Sequence, residues 1–397
     1  MESLYLYQNQ LLTSTSFLFR RSLLDKIDWN ERLIGVIGAR GVGKTTCLLQ
    51  RLTESDPEGK ISLYVSMDNL ANPYLSLLSL AQDFRLRGGK TLMIDEIHKY
   101  RGWAQEIKNI YDLYPDLTVV FSGSSVLRIM DESVDLSRRA VLYDLHGLSF
   151  REYISVSQGI HLPVLNLADL LKDHIRFARE IVLKVKPLAV FNDYLKFGHY
   201  PYFLQSQNSY LFKLESTINY ILEYEIPAMF NLDYRNVQKL KRALRYIAGN
   251  LPYQPNITKL AEAVELNRNT LLQYLFYLEK AGVIHTLYRN GSFYGKLTKP
   301  GKILLYHPNL IYALSSGQQE QGSIRECFFV NQLRTQFPVE LADKGDFLVD
   351  GKYTIEIGGK GKTRSQIAGM TSAFVVSDDI EFGFENKIPL WMFGFLY

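Results

Sequence analysis

Residues 33–46 read LIGVIGARGVGKTT, and this stretch decides the fold of the N-terminal part of the chain. The run LIGVI is typical of a buried strand, and Gly38 to Thr45 then matches G-x-x-x-x-G-K-T. The CLLQRL that follows has helical spacing. A strand before and a helix after are the context that a phosphate-binding loop requires. A chance glycine-rich turn is the alternative interpretation.

The residue types in this loop explain what it would bind. Glycines let backbone N–H groups converge on phosphate oxygens, and the helix N-terminus adds the positive end of a dipole. We expect Lys44 to contact the β- and γ-phosphates and the Thr45 hydroxyl to be a ligand of Mg²⁺. The residues expected to bind nucleotide are Gly38, Arg40, Gly41, Val42, Gly43, Lys44, Thr45 and Thr46.

An acid pair follows a second apolar run, in LMIDEIH at residues 92–98. The run predicts that Asp95 lies at the carboxyl end of a strand, where its carboxylate would hold Mg²⁺. Glu96 beside it is suited to orient or deprotonate an attacking water. A solvated acidic loop is the alternative. The spacing of about fifty residues from the phosphate loop favours the catalytic interpretation.

Further polar residues are candidates for contact with the γ-phosphate. Ser122 and Ser124 end the run TVVFS-G-S and are placed to sense it, although ordinary loop chemistry explains them equally well. Phosphoryl transfer also needs a cation besides Lys44. Arg138 and Arg139 in DLSRRAVLYDL are candidates, with a surface basic pair as the alternative. Arg40 is a third candidate, and its alternative role is packing against the domain.

The order of elements predicts the fold class. Strands at Ser62–Ser66, Thr91–Ile94 and Thr118–Ser122 alternate with segments of helical spacing such as residues 103–114. This alternation indicates a mostly parallel, three-layer α/β domain. Residues 168–246 are then almost purely helical and rich in aromatic side chains.

Composition restricts the class of protein. The 397 residues carry 45 Lys and Arg against 41 Asp and Glu, and a net charge of +4 is too small to name a polyanionic partner for the whole chain. Cys47 and Cys327 fit neither a disulfide framework nor a metal-ligand spacing, which favours a reducing compartment. The N-terminus lacks the features of a signal peptide, and no apolar run is long enough to span a membrane. We therefore expect a cytoplasmic protein of several domains.

Residues 257–297 have the arrangement of a winged helix-turn-helix. A short helix (Thr258–Val264) leads through a three-residue turn into a second helix (Arg268–Lys280), and two strands are expected around Arg289-Asn290-Gly291. From Asn236 to Lys302 there are 11 Lys and Arg against 3 Asp and Glu, a net charge of +8. Such a segment is an electrostatic footprint for a phosphate backbone.

If this segment binds DNA, the expected contacts are Arg268, Asn269, Gln273, Lys280, Arg289 and Lys296. The alternative is a structural or protein-binding winged helix whose basic side chains are simply solvated.

Three segments together resemble a family of prokaryotic AAA-like ATPases, of the AAA_14 type and related to STAND proteins, as found in Bacteroides-type bacteria. These segments are GARGVGKTT, LMIDEIHKYRGWAQEIKNIYDLYPDLTVVFSGSS and LSRRAVLYDLHGLSFREY. The resemblance covers essentially the full chain, and implies an ASCE-type P-loop ATPase core, a winged helix and a C-terminal DUF4143-like domain. The functional residues that it carries over are Lys44, Thr45, Asp95, Glu96 and Ser122, and relatives show a basic residue near Arg138 and Arg139. It does not supply a biological role.

The C-terminal segment is similar to the PD-(D/E)xK nuclease fold. We expect a helix at Ile324–Thr335 and strands at Phe347–Val349, Tyr353–Ile357, Ala373–Val376 and Leu390–Phe395. Nuclease chemistry needs acids on the helix and the hairpin, and a lysine two residues beyond the last acid. The candidates for this second metal site are Glu326, Asp346, Glu356 and Lys360.

The lysine position itself is Gly358, although Lys360 and Lys362 follow it closely and Gln366 is a further nuclease-like feature. A degenerate domain that packs or holds nucleic acid is therefore favoured over an active nuclease.

These observations predict four domains, at residues 1–165 (P-loop ATPase core), 166–248 (helical lid), 249–300 (winged helix) and 301–397 (restriction-endonuclease-like α/β domain). The leading hypothesis is Mg²⁺-dependent hydrolysis of ATP coupled to nucleic acid, in DNA processing, mobile-element or defence biology. A STAND-like switch that binds a protein partner is the alternative, and an ATP-gated nuclease is a third. The phosphate loop does not distinguish adenine from guanine, but the chain lacks an NKxD-type motif and the resemblance to the ATPase family favours ATP. Self-association is a further candidate interaction.

Overall fold

The computed structural model describes residues 1–69, 76–124, 136, 138–251, 255–289, 299–315 and 320–397. The chain forms two compact units, Met1–Gly147 and Leu148–Tyr397. Within the described ranges no helix is both long enough and apolar enough to cross a membrane.

The first unit is built on a five-stranded parallel sheet. Its strands are β1 (Leu33–Gly38), β2 (Ser62–Ser66), β3 (Thr91–Asp95), β4 (Thr118–Ser124) and β5 (Val141–Asp144). They lie in the order β2-β3-β4-β1-β5 and every neighbouring pair is parallel. Strands β1 and β2 are buried at every residue, as expected for strands that are covered on both faces. The predicted parallel α/β fold is confirmed.

The described residues of this unit form the α-helices α1 (Glu2–Ser14), α2 (Leu23–Lys26), α3 (Lys44–Ser55), α4 (Leu77–Leu86) and α5 (Trp103–Leu113). Helix α1 packs against β2, a strand at the edge of the sheet. The buried side chain of Gln8 on α1 accepts a hydrogen bond from the backbone N–H of Tyr64 at 2.7 Å. One N–H of the edge strand, which would otherwise lack a partner, is thereby satisfied.

The second unit begins with helices, as the sequence predicts. They are α6 (Phe150–Gln158), α7 (Leu167–Val182), α8 (Pro187–Phe197), α9 (Tyr210–Tyr220), α10 (Ile226–Phe230) and α11 (Tyr234–Gly249). A π-helical segment, Ile221–Glu225, joins α9 to α10. Aromatic rings fill the core here, and Phe150 lies edge-on to Phe191 with a centroid distance of 5.0 Å.

A helix-turn-helix follows, formed by α12 (Ile257–Ala263) and α13 (Arg268–Lys280). The Asn267 side chain caps α13 by accepting from the backbone N–H of Thr270 at 2.9 Å. Strand β6 (Ile284–Leu287) pairs antiparallel with β7 (Lys302–Leu305). Residues 290–298, which include most of the predicted hairpin turn and Lys296, lie outside the described residues.

The described residues of the last part of the chain include the α-helices α14 (Pro308–Leu314) and α15 (Gln321–Leu333) and a second sheet. Its strands are β8 (Val339–Leu341), β9 (Phe347–Val349), β10 (Tyr353–Gly358), β11 (Ala373–Ser377) and β12 (Lys387–Pro389). They follow one another across the sheet, antiparallel from β8 to β10 and parallel from β10 to β12.

One predicted strand is wrong. Leu390–Phe395 forms a 3₁₀ helix in which every residue is buried. A short, continuously apolar run does not distinguish a strand from a buried helix, because neither leaves a polar face to reveal its period. The close packing of this turn is visible at Gly394, where a Cβ would lie 2.4 Å from the Cβ of Phe150.

Two histidines stack in the core of the second unit. The rings of His199 and His307 lie 3.7 Å apart, and His307 Nδ1 accepts a hydrogen bond from the N–H of Asn309 at 3.2 Å. Burial holds the pKa of His307 well below its usual value, and the neighbouring His199 and His285 lower it further. His307 is therefore neutral when the chain is folded.

This burial predicts loss of stability in mild acid. Because the pKa of His307 is lower in the folded chain, the unfolded chain takes up more protons once the pH falls below about 6.5. Urea unfolding should give full stability at pH 7.5 and less at pH 5.5. His307→Asn keeps a capping side chain but removes the titration, so its stability should depend less on pH. The exposed His161→Asn is the control, and equal pH slopes for wild type and His307→Asn would contradict the prediction.

Candidate functional site

The loop between β1 and α3 has a backbone that only glycine adopts easily. Gly41 and Gly43 have φ values of 87° and 99°, in the left-handed region. At Gly38 the Cβ of any other residue would lie 2.3 Å from the carbonyl oxygen of Leu145, which is too close, so a side chain does not fit there. Lys44 begins α3, which is 12 residues long, so the amino end of this helix lies directly after the glycines. Such an arrangement is suited to binding an anion.

The side chain of Lys44 is buried within the loop itself. Its Nζ donates to the carbonyl oxygens of Gly38 at 3.0 Å and Ala39 at 3.2 Å. It also lies 3.9 Å from Oε1 of Glu96, an acid that follows β3. The ammonium group thus contacts neutral carbonyl oxygens and a carboxylate. Phosphate oxygens would replace these contacts, so Lys44 would still be paired when nucleotide is bound.

Asp95 is the centre of a hydrogen-bond network and is almost completely buried. Its Oδ2 accepts from Thr45 Oγ1 at 2.7 Å and from the Tyr64 hydroxyl at 2.7 Å. Its Oδ1 accepts from Ser122 Oγ, at the end of β4. The network therefore joins the first turn of α3 to three neighbouring strands. Burial, together with Asp95, raises the pKa of Tyr64 far above its usual value, so this phenol remains a donor.

Glu96 adopts a left-handed backbone conformation, with φ of 54°. Its N–H donates to Ser122 Oγ at 3.0 Å, and its Oε2 lies 3.4 Å from His98 Nε2. A non-glycine residue in this region is uncommon and costs conformational energy, which the surrounding contacts offset. The sharp turn directs the Glu96 side chain toward Lys44.

The structure brings together Lys44, Thr45, Asp95, Glu96 and Ser122, all of which the sequence predicts as site residues. Ser122, predicted to sense the γ-phosphate, is buried and holds Asp95 and the Glu96 backbone. Ser124 is also buried at the end of β4. The roles of these residues in catalysis stay predictions.

Three further residues shape the site but were not predicted. Tyr64 and His98 contact the acid pair, and Arg21 donates to the carbonyl of Val42 in the loop at 2.8 Å. A tyrosine in a fully buried strand was the available signal for Tyr64, because its hydroxyl needs a partner. Arg21 lies 21 residues before Val42 and carries no local signal.

The candidate arginines are placed differently from one another. Arg139 forms a two-pronged ion pair with Asp112 on α5, with N–O distances of 2.9 and 3.0 Å. Arg138 is exposed, and Arg40 is half-buried. A role for any of these arginines at the γ-phosphate stays a prediction.

The outer face of α13 in the second unit presents Arg268, Asn269 and Gln273, all exposed as a contact surface requires. Phe276 lies on the same face and is 43% exposed, which the sequence did not predict. Lys280 Nζ lies 5.5 Å from the centre of its ring. This face, from Arg268 to Lys280, is called the α13 face below. Arg289 is exposed as well.

Two acids of the C-terminal part, Glu326 on α15 and Glu356 on β10, are paired with lysines. Both carboxylate oxygens of Glu326 accept from Lys302 at 2.8 Å, and Glu356 pairs with Lys362. With its amide nitrogen turned toward Glu356, Gln366 donates to both oxygens at 2.7 and 3.0 Å. Burial raises the pKa of Glu326 and of Glu356, with Asp346 adding to both shifts.

The predicted second metal site consists of Glu326, Asp346, Glu356 and Lys360, and its role in binding a metal stays a prediction. Lys360 is exposed, and Lys362 takes the place beside Glu356. Asp346 Oδ2 accepts from the N–H of Ile357 at 2.7 Å. Nowhere in the described ranges do three or more His, Cys, Asp or Glu side chains gather as a metal site. Two of these carboxylates, Glu326 and Glu356, are thus each paired with a lysine in the fold.

Two family models match the chain. Residues 30–154 match an AAA domain, AAA_14, and residues 188–321 match a domain of unknown function, DUF8612. The first match covers β1, the glycine loop and the Asp95–Glu96 pair. The N-terminal unit thus has a P-loop NTPase fold that is similar to AAA domains. Neither match names a winged helix, a nuclease or a DUF4143-like domain, so those assignments stay predictions.

An uncharacterised protein of Methanocaldococcus jannaschii is 27% identical over 295 residues, which cover 70% of this chain and 62% of that protein. Among solved structures, a DNA replication initiation factor is 16% identical, with a TM-score of 0.28 over 65% of this chain and 84% of that one. ADP-bound Hsp104 of S. cerevisiae is 18% identical, with a TM-score of 0.27 over 66% and 40%. AMPPCP-bound DnaA of Aquifex aeolicus is 14% identical, with a TM-score of 0.26 over 65% and 84%. Scores this low carry no weight for function.

The Asp95 network predicts a stability change in the AAA-like domain. Tyr64→Phe removes a hydrogen bond to a buried carboxylate, so it should lower the free energy of unfolding by about 2 kcal/mol. Tyr143→Phe is the matched control, since its hydroxyl accepts from the N–H of Asp28 near the surface at 2.9 Å. Urea unfolding monitored by tryptophan fluorescence measures both. Equal losses in the two variants would show that the Tyr64 hydroxyl has no special role.

Proposed function

We propose that the AAA-like domain hydrolyses ATP with Mg²⁺ and that turnover is coupled to nucleic acid bound by the second unit. The observation that carries the first part is the network through Asp95, which links Thr45 on the loop helix to Ser122 and the backbone of Glu96. One set of hydrogen bonds thus connects the nucleotide loop to the acid that would act on water.

The binding roles follow from the donors available. Backbone N–H groups at the start of α3 and the Lys44 ammonium bind the β- and γ-phosphates. Thr45 and Asp95 fit Mg²⁺, because their oxygens already lie 2.7 Å apart at the carboxyl edge of the sheet. Mg²⁺, when bound, neutralises charge on the phosphate oxygens. Two protein ligands completed by phosphate and water are usual for this ion.

Glu96 is the group placed to act on the attacking water. Its carboxylate is partly exposed, whereas Asp95 beside it is buried and satisfied by three donors. The two neighbouring acids therefore have different tasks, one holding the metal and the other accepting a proton from water. Arg138 or Arg139 supplies the additional positive charge at the γ-phosphate, in this chain or in a second copy.

The coupling to nucleic acid rests on the α13 face. Arg268 and Lys280 flank Asn269 and Gln273, so cationic groups for phosphates surround amides that are able to pair with base edges. Exposed Phe276 adds an apolar contact of the kind that thymine methyl groups accept. The function of the second unit under this proposal is to bind DNA and to respond to the nucleotide state.

The alternative is a nucleotide-dependent regulatory switch that binds a protein partner through its C-terminal part. The observation that favours it is the neutralised acid cluster at Glu326 and Glu356, which has lost the lysine spacing of a nuclease and binds its own lysines instead. ATP-dependent self-association without any response to DNA would support this alternative over coupling to nucleic acid.

The hydrolysis proposal predicts the behaviour of two variants. Glu96→Gln should bind ATP normally but turn it over at least 100-fold more slowly, because it has lost the group that acts on water. Lys44→Ala should lose ATP binding itself. Phosphate release and binding of a fluorescent ATP analogue separate the two effects. Asp83→Asn is the control, because Asp83 on α4 pairs with Arg87 away from the loop. Normal turnover by Glu96→Gln would refute the assigned role.

The DNA proposal predicts a change in salt dependence. The double variant Arg268→Ala with Lys280→Ala removes two cations, so the slope of log K against log salt should fall by about 2 for duplex DNA. DNA stimulation of turnover should fall with it. Lys241→Ala is the control, because Lys241 already pairs with Glu223. If the double variant binds DNA as wild type does, or if wild type does not bind DNA, the regulatory switch is favoured. Light scattering with and without ATP would then measure self-association.

A further inference from the structure

His98 lies beside the acid that acts on water, on a turn that begins there. The 3₁₀ turn Ile97–Lys99 follows Glu96 directly, and the left-handed backbone of Glu96 reverses the chain. This brings His98 Nε2 to 3.4 Å from Oε2 of Glu96. Both side chains are mostly shielded, with 13% and 17% exposed, so the contact is not an ordinary surface pair.

The two oxygens of Glu96 face different partners. Oε2 faces His98, and Oε1 faces the Lys44 ammonium at 3.9 Å. Ser122 fixes the backbone through the N–H of Glu96. Lys44 is also the group that phosphates attract most strongly, because it carries the positive charge of the loop. If bound phosphate draws Lys44 away from Glu96, the contact with His98 still holds the carboxylate.

We propose that His98 is a positioning residue that holds Glu96 through Oε2 and leaves Oε1 for the attacking water. This inference rests on the proposed ATP hydrolysis and adds a residue to it. A general base works better when a third group orients it, and His98 is placed to orient Glu96. The neighbouring Lys99 does not share this role, because it pairs with Asp68.

The test compares variants that differ in one donor. His98→Leu keeps much of the volume without a donor and should lower kcat about tenfold, with KM for ATP changed less than twofold, since the loop binds the nucleotide. His98→Gln places an amide nitrogen near the position of Nε2 and should restore most of kcat. Lys99→Ala is the matched control and should turn over like wild type.

A purely structural role would lower the melting temperature and weaken binding of the ATP analogue in both His98 variants, without rescue by glutamine. That result would overturn the proposal, as would wild-type kcat in His98→Leu.

A second measurement does not depend on turnover. The ring signals of His98 in the NMR spectrum, assigned by their loss in His98→Gln, should shift in Glu96→Gln and stay unchanged in Lys99→Ala. An unshifted His98 ring in Glu96→Gln would show that the pair does not form, and would overturn the inference even if ATP is hydrolysed. A shifted ring in a protein without turnover would support the pair and remove the proposed hydrolysis instead.

Discussion

A buried carboxylate with three donors is the constraint on which the nucleotide site depends. Asp95 is almost completely buried, and a buried carboxylate whose oxygens lack hydrogen-bond donors costs several kcal/mol. Its donors come from α3, β2 and β4, so the carboxylate is satisfied only when helix and strands are in register. The parallel order of the sheet brings the ends of β2, β3 and β4 together. Fold and site are therefore specified by the same contacts.

The sequence predicts the parts of this site that lie within continuous motifs. The loop Gly38–Thr45 and the pair Asp95–Glu96 are local patterns whose chemistry follows from residue type and spacing. Tyr64 and Arg21 contact the site from distant parts of the sequence, and their own segments do not indicate which group each one contacts. The 3₁₀ helix at Leu390–Phe395 was predicted as a strand for another reason. A wholly buried run has no alternation of polar and apolar residues from which its secondary structure could be inferred.

The charge of a segment is also a poor guide to the field at its surface. Residues 236–302 carry an excess of eight positive charges in the sequence. Lys241 and Lys302 pair with Glu223 and Glu326, both of which lie outside the segment. Two of those charges are thus neutralised within the fold, and the basic character of the α13 face depends on Arg268 and Lys280.

The contact between Gln8 and Tyr64 has a consequence for how copies of this chain could associate. Strand β2 is an outer strand, and an intruding β-strand would need the same backbone N–H that Gln8 already occupies. A further strand can pair with β2 only after α1 separates from it. Backbone pairing at β2 is therefore blocked while α1 is in place, and association on this side would have to use side-chain surfaces. The covered edge also protects the apolar sheet from aggregation through added strands.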